Sequence, residues 1–196
     1  NGGGGIDTVS YAFATAGVSV SLATGLAQAT GGSGSDVVKS FENLEGSAYA
    51  DNLTGNSASN LLLGGAGDDT LNGGGSNDVL IGGAGTDTLI GGSGADLYVF
   101  RDLSELGLGE LADIISGFRS GDGDRIDFSA LDANPLTAAR EAFEFIGNDA
   151  FSATDATAQL RFDQGTLYGS VNADSAAEFS IRLLGVNAFS QNDVVS

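Results

Sequence analysis

The sequence predicts an all-β solenoid that ends in an antiparallel β cap, and three observations carry that expectation. Six consecutive nine-residue blocks begin at Gly46, Gly55, Gly64, Gly73, Gly82 and Gly91. Every block has Asp or Asn at place six and a large apolar residue at place eight. After Phe100 the blocks stop, and short strand-like segments separated by turns follow.

The clearest blocks read Gly64-Gly-Ala-Gly-Asp-Asp-Thr-Leu-Asn72 and Gly82-Gly-Ala-Gly-Thr-Asp-Thr-Leu-Ile90. Place six runs Asp51, Asn60, Asp69, Asp78, Asp87, Asp96, and place eight runs Leu53, Leu62, Leu71, Leu80, Leu89, Tyr98. The first six residues of a block need tight backbone that tolerates left-handed turns. Gly64, Gly65, Gly67, Gly73, Gly74, Gly82, Gly83, Gly85, Gly91, Gly92 and Gly94 supply it without a Cβ penalty. The last three residues make a short strand whose place-eight side chain points inward. One block is half a coil, so residues eighteen apart share an edge. Asp51, Asp69 and Asp87 fall on one edge, and Asn60, Asp78 and Asp96 on the other.

Strands stacked about 4.8 Å apart would bring these carboxylates into repulsion unless a cation lay between them. Calcium suits the donor set, because it takes roughly six to eight oxygens and accepts both carboxylates and backbone carbonyls. Asp69 with Asp87 and Asp78 with Asp96 are the expected pairs, followed by Asp51 with Asp69. Asn60 with Asp78 carries less charge, and the blocks at Gly46 and Gly55 have lost most of their turn glycines. Ser76 also replaces a place-four glycine. The pattern G-G-x-G-x-D-x-U-x is the calcium-binding repeat of RTX (haemolysin-type) proteins, which this region resembles. About three to five calcium ions are expected.

Composition agrees. The chain has 26 acidic and 7 basic residues and a net charge of −19, which argues against nucleic acid and anionic membranes as partners. Cysteine and histidine are absent, so there is no disulfide framework, no thiol chemistry and no His-based zinc or acid–base site. No apolar run is long enough for membrane insertion. The first residue lies inside a repeat, and the chain reads as the C-terminal piece of a longer one.

Residues 1–45 read as degenerate repeats with an inserted strand or hairpin. Gly2-Gly-Gly-Gly-Ile-Asp7-Thr-Val9 and Gly31-Gly-Ser-Gly-Ser-Asp36-Val-Val38 fit the repeat, and Val18, Val20 and Leu22 alternate with small residues. Asp36 would join Asp51 if Ser40–Glu45 served as the opposite half-coil. Residues 46–100 form the roll and residues 101–196 the cap. In the cap a short helix is expected within Leu103–Ile115 and another at Ala133–Arg140. Strands are expected at Asp113–Phe118, Arg125–Phe128, Phe143–Ile146, Gln159–Asp163, Leu167–Val171 and Phe179–Leu184. Asp122, Asp124 and Asp127 read as a solvated turn.

The run Gly91-Gly-Ser-Gly-Ala-Asp96-Leu-Tyr-Val-Phe100, then Asp113-Ile-Ile-Ser-Gly-Phe118 and Asp124-Arg-Ile-Asp-Phe-Ser129, resembles the C-terminal domain of serralysin-type secreted metalloproteases. The resemblance implies a right-handed, calcium-filled parallel β-roll with a β-sandwich-like cap. It also implies an extracellular destination, export through a type I secretion apparatus, and an upstream domain of the same polypeptide as the cargo. An acidic residue of the cap closes the last calcium site in that family; Asp113 matches, with Asp102 the other candidate. The terminal Asp193-Val-Val-Ser196 approximates the family's secretion signal, apart from its polar last residue.

The function expected is a non-catalytic calcium-binding module of a larger secreted protein. The alternative is a calcium-stiffened structural or adhesive segment of a bacterial surface protein. An enzymatic or sugar-binding role finds no His, no Trp and no recognisable catalytic set.

Overall fold

With one large inward side chain per block, a strand can bury its apolar residue only by facing a second sheet and stacking on the strand eighteen residues away. The computed structural model, which describes residues 1–135, 137 and 140–196, has this arrangement. Strands β1 (Thr8–Ser10) and β2 (Ser19–Ser21) open the chain, and β3 (Ala27–Gly31) and β4 (Gly34–Val37) form an antiparallel hairpin. The roll follows as β5 (Asn43–Glu45), β6 (Asn52–Thr54), β7 (Leu61–Ala66), β8 (Thr70–Gly75), β9 (Val79–Ala84), β10 (Thr88–Ser93) and β11 (Leu97–Val99). The cap holds β12 (Asp113–Ser116), β13 (Arg125–Asp127), β14 (Glu144–Phe145), β15 (Gln159–Asp163), β16 (Thr166–Ser170), β17 (Phe179–Leu184) and β18 (Val194–Val195).

Odd and even half-coils separate into two sheets. One has the order β1-β5-β7-β9-β11-β13-β18 and is parallel throughout. The other runs β14-β15-β16-β17-β12-β10-β8-β6-β2, parallel from β2 to β17 and antiparallel across β17-β16-β15. Register follows the blocks: Leu53 pairs with Leu71, Leu71 with Leu89, and Leu62 with Leu80. Both parallel sheets run on past residue 100, with Ile115 over Leu89 and Ile126 over Tyr98. Within the cap, among the described residues, only β15, β16 and β17 pair in antiparallel fashion.

Leu53, Leu62, Leu71, Leu80, Leu89 and Tyr98 form a fully buried file between the sheets. Leu44 and Val20 extend it at one end, and Ile115, Ile126 and Leu183 at the other. In the cap the file widens into aromatic packing, where Phe128 lies 5.7 Å from both Phe100 and Phe143 and 5.9 Å from Phe179. Gly169 makes room for this cluster, since a Cβ there would meet the Phe179 ring at 1.9 Å.

Several expectations need correction. The block Gly31–Val38 is no coil: its glycines turn the β3–β4 hairpin, with Gly31 and Gly34 in left-handed backbone. This hairpin closes the edge of β2. The Gln28 side-chain amide accepts from Ser21 N–H at 2.8 Å and donates to Ser21 carbonyl at 2.8 Å, as a neighbouring strand would. The segment Leu103–Ile115 has two single 3₁₀ turns, Leu103–Glu105 and Gly109–Leu111, in place of a helix. The helix expected at 133–140 falls in part on 136, 138 and 139, outside the described residues. Among those described, no helix is long and apolar enough to cross a membrane.

Leu71→Ala removes the centre of a file that cannot collapse, because both sheets are pinned by ladder hydrogen bonds. We expect a loss of about 2–5 kcal/mol in equilibrium urea denaturation, with Leu111→Ala, an exposed control, within about 0.5 kcal/mol.

Candidate metal centre

At the edges of the two sheets the place-six residues stack in single file, as their eighteen-residue spacing requires. On one edge Asp51 N–H donates to Asp69 Oδ1 at 2.8 Å, Asp69 N–H to Asp87 Oδ1 at 2.8 Å, and Asp87 N–H to Asp113 Oδ1 at 2.7 Å. On the other, Asn60 N–H donates to Asp78 Oδ1 at 2.8 Å and Asp78 N–H to Asp96 Oδ1 at 2.9 Å. Each coil thus hands its place-six N–H to the side chain of the coil after it. Asp113 continues the first file, whereas Asp102 is exposed and caps a 3₁₀ turn by accepting from Ser104 N–H.

Asp124 is a residue of these files that sequence reasoning missed. It is buried and accepts Asp96 N–H at 2.9 Å, so it ends the second file as Asp113 ends the first. A signal existed: Asp113-x-Ile115 and Asp124-x-Ile126 repeat the place-six-to-place-eight spacing. At the opposite end Asp7 and Glu42 align with Asn60, and Asp7 N–H donates to Glu42 Oε2 at 2.9 Å. Asp36 lies off both files. The residue aligned with Asp51 is Val18, because β2 pairs with β6, and Asp36 instead accepts from Thr30 at 2.9 Å and Tyr11 at 3.3 Å in the hairpin.

The glycines crowd these carboxylates for a reason. A Cβ on Gly64 would meet Asp69 Oδ2 at 2.3 Å and Gly82 carbonyl at 2.4 Å; one on Gly73 would meet Asp78 Oδ2 at 2.3 Å and Gly91 carbonyl at 2.7 Å. Gly82 and Gly91 stand likewise against Asp87 Oδ2 and Asp96 Oδ2. At place two, Gly65, Gly74, Gly83 and Gly92 hold φ from +104° to +118°, and Gly83 passes so close to Gly65 carbonyl that a Cβ would lie 2.0 Å from it. At place four Gly67, Gly85 and Gly94 are also left-handed, and Ser76 takes φ +67° in the glycine's stead.

One oxygen of each central carboxylate therefore ties two coils, while the other has nothing to bond. Oδ2 of Asp69, Asp78, Asp87 and Asp96 is buried without a hydrogen-bond partner, and each residue is only 1% exposed. Such groups ordinarily find a partner. Burial pushes the carboxyls up, to about 8 for Asp69, about 7 for Asp78 and Asp113, and about 6 for Asp87. The ladder N–H bonds pull the other way, and neighbouring carboxylates, Asp68 among them, add to the rise. Asp96 and Asp124 are raised by the same burial. Tyr98 departs from Leu at place eight; its hydroxyl accepts Gly91 N–H at 3.0 Å beside Asp96, and burial pushes its pKa well above the usual phenol value.

Among the described residues no three acidic side chains converge on one point. Carboxylate oxygens would therefore need backbone carbonyls to complete a cage, and the close glycine carbonyls provide such donors. The set consists of oxygen alone, partly anionic and shielded from water, which fits a hard cation and not a soft one.

No curated protein matches the chain. Among solved structures, it is similar to the AlgE6R3 subunit of the mannuronan C5-epimerase of Azotobacter vinelandii, with 31% identity and a TM-score of 0.52 over 75% of this chain and 78% of that one. The AlgE6R2 subunit of the same enzyme aligns at 24% identity and a TM-score of 0.49, over 75% of this chain and 88% of that one. The model of the peptidase M10 serralysin C-terminal family matches residues 9–196. The chain belongs to the peptidase M10 serralysin C-terminal family.

Proposed function

We propose that this chain is a non-catalytic, calcium-dependent folding module of a secreted protein, supporting the stability and type I export of an upstream domain. The observation that carries the reading is the set of buried, partnerless Oδ2 atoms at Asp69, Asp78, Asp87 and Asp96. Each would meet an ion together with turn carbonyls, and the ion would supply charge neutralisation between coils. Gly64, Gly73, Gly82 and Gly91 leave the space that a side chain would fill.

Energetics make calcium decisive. Extracellular modules bind calcium with Kd of about 10⁻⁴–10⁻³ M. At ten times Kd each site contributes about 1.4 kcal/mol, so three or four contribute roughly 4–6 kcal/mol. A domain is stable by only about 5–15 kcal/mol. Where free calcium is low, residues 46–99 offer few large apolar side chains against many repelling carboxylates, and the chain stays open for passage through an export channel. Outside the cell, calcium closes it.

Far-UV circular dichroism of EGTA-stripped protein should show a cooperative coil-to-β transition on adding calcium, and none with magnesium. An Asp69→Ala/Asp87→Ala variant should need roughly tenfold or more calcium, or fail to fold. A metal-free protein already fully folded at about pH 8 overturns the reading.

Proton binding gives a second check. In the metal-free fold the raised carboxyls keep protons that unfolded-chain carboxylates, with values near 3.9, have released. The folded state therefore binds more protons between about pH 4 and 8, and its stability falls as pH rises through that window. EGTA-treated protein should show more β-structure at about pH 5.5 than at about pH 8.5, while the calcium needed at saturation rises on acidification as protons compete. Identical metal-free spectra at both pH values would contradict buried charge as the obstacle to folding.

A further inference from the structure

We propose, building on the calcium reading above, that the residue at place two decides whether a coil of this roll takes a cation on its place-six side chain. Glycine leaves the side chain open to the ion, and Ser47 and Asn56 close it with their own N–H groups.

The first two blocks differ from the four that follow at this point. Ser47 N–H donates to Asp51 Oδ2 at 2.5 Å, Ser47 Oγ donates to Asp51 Oδ1 at 2.8 Å, and Val18 N–H donates to Oδ1 at 2.7 Å. Both oxygens of Asp51 are satisfied by protein, although the residue is only 4% exposed. In the next block Asn56 N–H donates to Asn60 Oδ1 at 2.7 Å, and Asn60 Nδ2 donates to Glu42 carbonyl at 2.8 Å. Both ends of that amide are used. Asp69, Asp78, Asp87 and Asp96 keep an empty-handed Oδ2 in equally buried positions.

Backbone conformation explains the split. Gly65, Gly74, Gly83 and Gly92 are all left-handed, whereas Ser47 and Asn56 are not. With φ on the ordinary side, the turn curls so that the place-six side chain meets the place-two N–H. A left-handed residue swings the turn away and leaves the oxygen unclaimed. Stacking selects where each form can occur. A Cβ on Gly65 would lie 2.1 Å from Ser47 carbonyl, and one on Gly74 would lie 2.4 Å from Asn56 carbonyl. Side chains at place two are thus confined to the two blocks on which these glycines stack. Hydrogen-bond donors hold the first coil of the six-block roll, where the two later coils depend on ions.

Calcium stoichiometry by isothermal titration on the EGTA-stripped full chain tests the assignment. Asp51→Asn should bind as many ions as the parent, with an unchanged midpoint, and Asp87→Asn should bind at least one fewer. Loss of an ion in Asp51→Asn overturns the inference while leaving the calcium reading intact. If Asp51→Asn does not reach the parent's circular dichroism in saturating calcium, Ser47→Gly decides. It frees the Asp51 carboxylate and should add one ion, and an unchanged count overturns the inference. A parent chain that takes up no calcium overturns both this inference and the reading it rests on.

Discussion

A backbone N–H at place six donates to the side chain of the coil after it, and the rest of the roll is arranged around that bond. It fixes the stacking register on both edges, from Asp51 through Asp113 and from Asn60 through Asp124. It also draws the carboxylates into the dry seam between turns, where Asp69, Asp78, Asp87 and Asp96 each keep one oxygen without a partner. The attraction that orders the coils thus creates the buried charge that opposes closure. Hydrophobic burial sets the same register independently through the Leu file, so the two forces reinforce each other in position while opposing each other in charge.

The cap completes these files and does not simply cover them. Asp87 and Asp96 would have unaccepted N–H groups if the chain ended with the last block, and Asp113 and Asp124 receive them. Their loops differ in form. Asp124 is itself held by Arg119 N–H at 2.8 Å, with Arg119–Asp124 folded into a turn, and Asp113 sits at the start of a strand that continues the parallel sheet. The terminal Val194 and Val195 pair with Ile126 and Asp127, and Asp193 caps the turn before them. The residues that resemble a secretion signal are therefore also the last strand of the fold.

Where the period was strict, the sequence could be read directly. The alternation of half-coils, the two edges, the inward Leu file and the strands Gln159–Asp163 and Phe179–Leu184 all match the structure. Reading failed where one residue type serves two geometries. Gly31 and Gly34 suit a hairpin as well as a coil, and only the pairing of Gln28 with Asp36 separates the cases. Asp124 was hidden because insertions lengthen its spacing from Asp96 to 28 residues, breaking the period without breaking the stack. The degenerate blocks at Gly46 and Gly55 look like worn copies, yet Ser47 and Asn56, outside the left-handed conformation of the later place-two glycines, give their N–H groups to the place-six side chains.

A parallel solenoid sheet has an inherent hazard: its first strand presents a row of free donors and acceptors to any extended chain. At β2 that row is answered by Gln28, whose amide occupies both the N–H and the carbonyl of Ser21, and by Gly32 N–H, which occupies Gly17 carbonyl at 3.2 Å. An amide side chain is too short to recruit a further strand, so it terminates the ladder instead of extending it. The hairpin acts as a stopper for sheet growth. Along that sheet, the ladder positions at Ser21 and Gly17 are already taken within the chain and are not left for a second copy to extend.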